Sequence, residues 1–221
     1  MKTFKKITLI SFITLIFATL IFPLQSCKKN NDDNDQADTV KNYKPNIYIY
    51  TQKKIQLDVE INFPQGGKIV ASIPKYNNGW HISVDTNGFI DNKYTYLFYE
   101  SKQPNVWQKK YGWIIPKNEL KSFFEKNMKK YGFNDSEIKD FTSFWCPKLK
   151  GFKFFKIYPQ TDVLINKVVK LKFSKHPDKA LRLYYVIKGS DNNNDSDKLI
   201  KPFIKKFDRK GFYITEWGVI L

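Results

Sequence analysis

Glu100 and Glu216 are the residues best placed in this sequence to do acid–base chemistry. Each closes an apolar stripe of a strand-like segment, Glu100 with Tyr96 and Phe98, Glu216 with Phe212 and Ile214. A carboxylate on a core-facing side must be paired, hydrogen-bonded or functional. If the two converge, a separation of about 5 Å suits a retaining glycoside hydrolase and about 6.5–9.5 Å an inverting one. The competing expectation is that Arg182 or Arg209 pairs with one of them. His81, Ser83 and Asp85 have the residue types of a hydrolase triad, but on one strand alternate residues lie about 6.6 Å apart, too far for a nucleophile and its base. Cys146, between Trp145 and Pro147, reads as a buried thiol among aromatics. With two histidines and no Cys-x-x-Cys spacing, no zinc site is expected. Asp191, Asn193, Asp195 and Asp197 start like a calcium loop, but Ser196 and Pro202 stand where a glycine and a bidentate glutamate are needed. No cofactor is expected. Five tryptophans could stack sugars, although scattered indoles commonly build cores. A binding surface, if formed, would use Trp80, Glu100, Trp145, Gln160 and Trp217.

Cys27 has a different role. Lys2, Lys5 and Lys6 precede a charge-free run from Ile7 to Phe22, the pattern of an export signal too short to span a bilayer comfortably. The run leads to Leu24-Gln25-Ser26-Cys27, which resembles a bacterial lipobox, with a small residue before the cut and a thiol to accept the acyl chains. Two or three such chains hold a protein on a membrane without a spanning helix, at about 0.8 kcal/mol per buried methylene. The expected organisation is a signal peptide at 1–26, a flexible polar tether at 27–43 and a single domain at 44–221. The expected location is the bacterial cell envelope, in the outer membrane if the cell has two.

The chain has 221 residues and a formal charge of +17, from 38 Lys+Arg against 21 Asp+Glu. Two cysteines cannot frame a disulfide scaffold, and 19 Phe, 13 Tyr and 5 Trp exclude wholesale disorder. The positive charge does not point to nucleic acid. Only Arg182 and Arg209 are arginines, and bidentate reading of phosphates and guanines favours arginine. Anionic envelope glycans, lipid phosphates or simple solubility fit better.

The elements that would carry these residues run as strands, then a helix pair, then strands again. Ile55 to Phe63 alternates apolar and polar residues without error, as a strand with one solvated side does. Asn46–Tyr50, Lys68–Ile73, Trp80–Asp85 and Tyr94–Glu100 complete an expected meander, with turns at Gly66-Gly67, Asn77-Asn78-Gly79 and Asn87-Gly88. The middle shifts to helical period. Asn118 is placed to cap a helix running to Tyr131 before Gly132, and Asn134 with Glu137 forms a capping-box pattern for a second helix that stops before Pro147. Strands return at Phe152–Tyr158, Val168–Ser174, Ala180–Lys188 and Gly211–Trp217. This order predicts an α+β fold, a mostly antiparallel β-sheet with a helix pair inserted in the middle.

Lys44-Pro45-Asn46-Ile47-Tyr48-Ile49-Tyr50, Gly79-Trp80, Tyr96-Leu97-Phe98-Tyr99-Glu100, Phe144-Trp145-Cys146-Pro147, Tyr158-Pro159-Gln160-Thr161-Asp162 and Asp208-Arg209-Lys210-Gly211-Phe212 with Glu216-Trp217-Gly218 run through the whole folded part. Together they resemble a family of bacterial, often exported proteins with no assigned activity, which opens Lys-Pro-x-Ile-Tyr-Leu-Tyr and closes Arg-Lys-Gly-Phe then Glu-Trp-Gly. Val219 departs from that pattern, which has a second glycine there. The resemblance implies a single domain closing on a C-terminal strand, and no reaction. The expectation for function is a membrane-anchored envelope lipoprotein, a non-catalytic domain binding an envelope glycan or another envelope protein. The alternative is a glycan hydrolase using Glu100 and Glu216.

Overall fold

The computed structural model describes residues 38–194 and 199–221. Cys27 and the export signal lie outside the described residues, as do Asp195 and Asp197. The fold is α+β, with a large, mostly antiparallel sheet and a helix pair between its strands. Seven strands form that sheet in the order β3 (Lys68–Ile73), β5 (Leu97–Pro104), β1 (Thr39–Tyr50), β10 (Tyr213–Ile220), β9 (Lys179–Ser190), β7 (Phe154–Thr161) and β6 (Trp113–Pro116). Of these pairs only β9 and β10 run parallel. A second sheet places β2 (Ile55–Asn62) between β4 (Trp80–Val84) and β8 (Lys170–Phe173).

The expected meander is therefore not formed. β2 and β4 leave for the second sheet, while β1 is held between β5 and β10, which lie far away in sequence. β2 still shows the expected alternation, with Ile55, Leu57, Val59 and Ile61 buried and Gln56, Asp58 and Glu60 exposed. Its apolar side covers one face of the large sheet, packing with Ile47, Ile49, Tyr99, Tyr184 and Ile214. The opposite face is covered by α1 (Leu120–Tyr131) and α2 (Asp135–Trp145), whose Phe124, Met128, Phe141 and Trp145 pack on Tyr185, Trp217 and Val219. Central strands covered on both faces lose the alternation of a half-solvated strand; Leu181 to Ile187 and Ile214 to Ile220 are buried without a break.

Local signals settle the helix pair. Gly132 follows α1 in the left-handed region at φ +111, where its N–H closes on Met128 and Lys129 carbonyls. Asn134 Oδ1 accepts from Glu137 N at 2.9 Å, and Glu137 Oε2 accepts from Asn134 N at 2.7 Å, a complete capping box. Asn118 does not cap α1: it lies in a 3-10 turn, Lys117–Glu119, that leads into the helix. Two elements were not anticipated, β6 and the short helix α3 (Asp162–Val168). The boundary at residue 44 also moves. β1 begins at Thr39, so the last residues assigned to the 27–43 tether belong to the sheet, where Asn42 pairs with Ser101 on one side and Ile220 on the other.

Candidate functional site

The structure separates Glu100 from Glu216. On β5, Tyr99 turns toward the small sheet and donates to Glu216 Oε1 at 2.8 Å. Glu100, the next residue, therefore turns to the helix side, and a catalytic pair cannot form across the sheet. Glu216 is fully buried. Its Oε1 also accepts from Tyr184 OH at 2.8 Å, and its Oε2 accepts from Arg182 Nε at 2.5 Å. Arg182 also donates to Asn166 Oδ1 and the Val169 carbonyl, at 2.6 and 2.7 Å, and to Tyr184 OH. Burial and the adjacent Glu216 charge push the Tyr99 and Tyr184 phenols well above their ordinary value. The Glu216 carboxylate raises the Arg182 guanidinium against the opposing effect of burial. Such a closed node is structural. Glu100 meets Lys41 Nζ at 2.6 Å near the surface.

Of the five residues expected to form a binding surface, four are core. Trp80, Trp145 and Trp217 are at most 2% exposed. Their large apolar areas hold the small sheet and the helix pair, and Trp80 Nε1 donates to the Pro74 carbonyl. Gln160 is buried and clips the chain at Gln108, accepting from its N–H at 3.0 Å and donating to its carbonyl at 2.9 Å. Only Glu100 lines an open pocket. His81 lies exposed beside Asp58 Oδ1 at 2.7 Å, two strand positions from Ser83 on the same strand, so no triad assembles. Burial pushes the Cys146 thiol up to about 11, away from nucleophilic use. Among the described residues no group of three or more His, Cys, Asp or Glu could hold a metal ion.

Arg209 has a partner the sequence did not suggest. Its guanidinium grips Glu137 bidentately, Nη1 to Oε2 at 2.9 Å and Nη2 to Oε1 at 3.0 Å. Tyr50 OH and Thr215 Oγ1 each donate to Glu137 Oε1 at 2.6 Å. One capping-box glutamate thus joins α2, β1, β10 and the segment before β10. Arg209 also lies over the Tyr50 and Tyr213 rings, 4.7 and 5.1 Å from their centroids.

The pocket beside Glu100 is built by an irregularity in β1. Between Tyr43 and Asn46 the strand takes three steps against two on β10, and from Asn42 to Asn46 four against three on β5. One extra residue therefore bulges against both neighbours at once. Lys44 occupies it at φ +50, a left-handed backbone that costs a non-glycine residue about 1–2 kcal/mol. Pro45, which has no N–H to give to either ladder, follows it. The bulge reverses the strand's alternation. Val40 and Asn42 face the small sheet before it, Ile47 and Ile49 after it. It also turns the Lys44 side chain toward the helix side of the sheet. There the ammonium lies 4.9 Å from the Tyr96 and Phe144 ring centroids, 5.4 Å from Phe98 and 5.7 Å from Trp217.

This aromatic box opens into a pocket of about 340 Å³ lined by Lys44, Ile73, Lys93, Tyr94, Thr95, Tyr96, Phe98, Glu100 and Phe144. Among the described residues no carboxylate pairs with Lys44. Its hydrogen bonds, to Asn46 Oδ1 and Tyr96 OH, are both 3.4 Å, long for a charged donor. A larger hollow of about 570 Å³ lies between β9 and residues 203–208, but its Lys179 is already satisfied by Asp208 at 2.7 Å. Sequence reading passed over Lys44, taking it as the first residue of the domain. The available signal was Lys44-Pro45 inside a β-prone run, since proline within a strand marks an edge or a bulge.

No family model, curated protein or solved structure matches this chain.

Proposed function

We propose that the protein is a non-catalytic binding module of the bacterial cell envelope, held to the membrane by lipid on Cys27, and that it receives an anionic ligand in the Lys44 pocket. The observation that carries this reading is an ammonium group with no carboxylate partner, set by a strained bulge among four aromatic rings at an open pocket. Cation–π contacts stabilise such a charge by about 0.5–2 kcal/mol without neutralising it. An anion that enters gains a charge-assisted bond, and its apolar body gains ring contacts. Strained backbone and two-sided bulges concentrate where a side chain must be re-aimed for binding.

The anchor is tested by Cys27→Ser in the full chain. The variant should leave the membrane fraction, and retention there would remove the lipid anchor from the proposal. The pocket is tested by titrating full-length protein with acetate, benzoate and galacturonate while following tryptophan fluorescence, since the Trp217 ring lies beside Lys44. At least one probe should give a saturable change that Lys44→Met weakens by about tenfold or more. If none does, the binding reading is wrong.

A further inference from the structure

The uncovered part of the large sheet next to the pocket carries a row of lysines. Lys68 on β3 stands opposite Lys102 on β5, and Lys102 stands opposite Lys41 on β1. Directly opposed residues share a face, and with strands about 4.8 Å apart the three Cα atoms span about 10 Å. The face is the one that holds the pocket: Lys41 reaches Glu100 at 2.6 Å and covers the Tyr43 ring at 4.6 Å, while Tyr43 in turn packs edge-on against Trp145 of α2. Like charges set opposite one another destabilise a sheet unless something between them is negative. Here the only acid in an ion pair with the row, among the described residues, is Glu100, taken by Lys41 alone. Along β5 the positions Lys102, Glu100 and Phe98 follow at two-residue spacing, so the row and the Phe98 wall of the pocket are about 14 Å apart.

We infer that the pocket and the lysine row form one elongated site for a linear acidic glycan, a polymer of carboxylate-bearing sugars. This deepens the proposed binding role and rests on it. A terminal sugar of such a chain has both things the pocket recognises. Its carboxylate meets Lys44, with Lys93 at the rim, and its ring lies against the Tyr94, Tyr96, Phe98 and Phe144 side chains. Further carboxylates along the chain then lie over Lys41, Lys102 and Lys68. Lys41 offsets the Glu100 charge beside that path. Lysine suits this ligand because single ammonium groups read carboxylates as point charges; a polyphosphate would be read better by arginine forks, and no arginine lines the pocket or belongs to the row. The pocket's volume, near the low end of the 300–1,000 Å³ typical of small-molecule sites, admits an end unit rather than a whole oligomer.

The experiment is a calorimetric titration of full-length protein in detergent with galacturonate oligomers of one to four units. Neutral galactose oligomers and vesicles containing anionic lipid serve as the comparison probes. Affinity should rise more than tenfold from the monomer to the tetramer at low salt and fall as salt is added. Lys68→Gln with Lys102→Gln, both exposed positions, should remove the length-dependent gain and leave monomer binding unchanged. Lys44→Met should weaken every oligomer by about ten- to a hundredfold, the worth of one charge-assisted hydrogen bond. Lys93→Gln, at the exposed rim, should give a smaller loss in a variant whose folding is not at issue. Equal binding of neutral oligomers, a length gain that survives the row substitutions, or binding to anionic vesicles in place of the oligomers would each overturn the acidic-glycan inference. Binding of benzoate or acetate without any uronate overturns it too and leaves the anion pocket standing, whereas silence toward all these probes removes both.

Discussion

Replacing Glu216 by leucine strands a buried cation, and the size of the effect follows from the node around it. Arg182 and Glu216 side chains are 2% and 0% exposed. In the variant the guanidinium keeps only neutral acceptors, Asn166 Oδ1, the Val169 carbonyl and Tyr184 OH. Tyr99 and Tyr184 lose their shared acceptor, although their hydroxyls, 2.7 Å apart, can still pair with each other. Breaking one side of a buried ion pair costs about 3–5 kcal/mol, a large part of the about 5–15 kcal/mol that separates folded from unfolded domains. Glu216→Gln separates the two causes, because an amide oxygen can still accept from the tyrosines while the charge is gone. Arg182→Met with Glu216→Leu removes both charges. Well-packed apolar replacements of buried pairs are near neutral or even stabilising, so the double variant should be at least about 2 kcal/mol more stable than Glu216→Leu alone. Urea unfolding followed by tryptophan fluorescence measures these variants and Arg182→Met alone, with a constant m-value as the check on two-state behaviour. If the double variant loses as much as the two single losses added together, stranded charge is not the dominant cost and the reasoning fails.

Further outcomes follow from local geometry and from the proposed anchor. Gly132→Ala should destabilise by more than Gly151→Ala: both have positive φ, but a Cβ at Gly132 meets Phe207 at 2.9 Å, while one at Gly151 meets nothing within 4 Å. The left-handed backbone alone costs about 1–2 kcal/mol, so thermal unfolding should show that loss in Gly151→Ala and a larger one in Gly132→Ala; equal losses would remove the role given to the Phe207 contact. Cys146 should react with a disulfide reagent far more slowly than a free thiol at pH 8. Burial, helped by the nearby Glu125 charge, raises its pKa to about 11, so the thiolate fraction and the rate should climb through pH 9 to 11. A rate already at its plateau at pH 8 would contradict that burial. In denaturant the same membrane-purified protein should titrate one thiol, because Cys27 is acylated in the proposed anchor, and two thiols would count against it.

The parts of the fold that were legible in the sequence are those fixed by neighbours in the chain. The capping box at Asn134 and Glu137, the glycine stop at Gly132 and the alternation of Ile55 to Ile61 each depend on residues within about four positions, and each formed as expected. Which strand lies beside which depends on contacts that local pattern does not encode. β1 pairs with β5 and β10, and β2 joins another sheet, where its apolar side covers Ile47, Tyr184 and Ile214. The strands buried on both faces carried a readable warning, since continuous apolar runs such as Leu183 to Ile187 belong in a sheet centre.

The site was harder to read for a physical reason. Sequence reasoning looks for chemistry where polar residues break an apolar pattern, and Glu216 was the sharpest such break. A buried carboxylate has two ways to exist, as a tuned catalytic group or as a fully hydrogen-bonded structural anion, and the sequence around Glu216 is the same for both. The choice lies in Arg182, Tyr99 and Tyr184, which reach it from other strands. Lys44 is the converse case. A lysine next to a proline near the start of a strand looks like solvent-facing punctuation, and only the pairing of β1 with two partners at once makes it a bulge that both neighbours must accommodate. A bulge on an edge strand could relax; one clamped on both sides cannot, so its strained residue is held with its side chain among the rings. The feature that makes Lys44 a site is therefore the sheet order itself, which is the part of this fold that the local sequence pattern carries least.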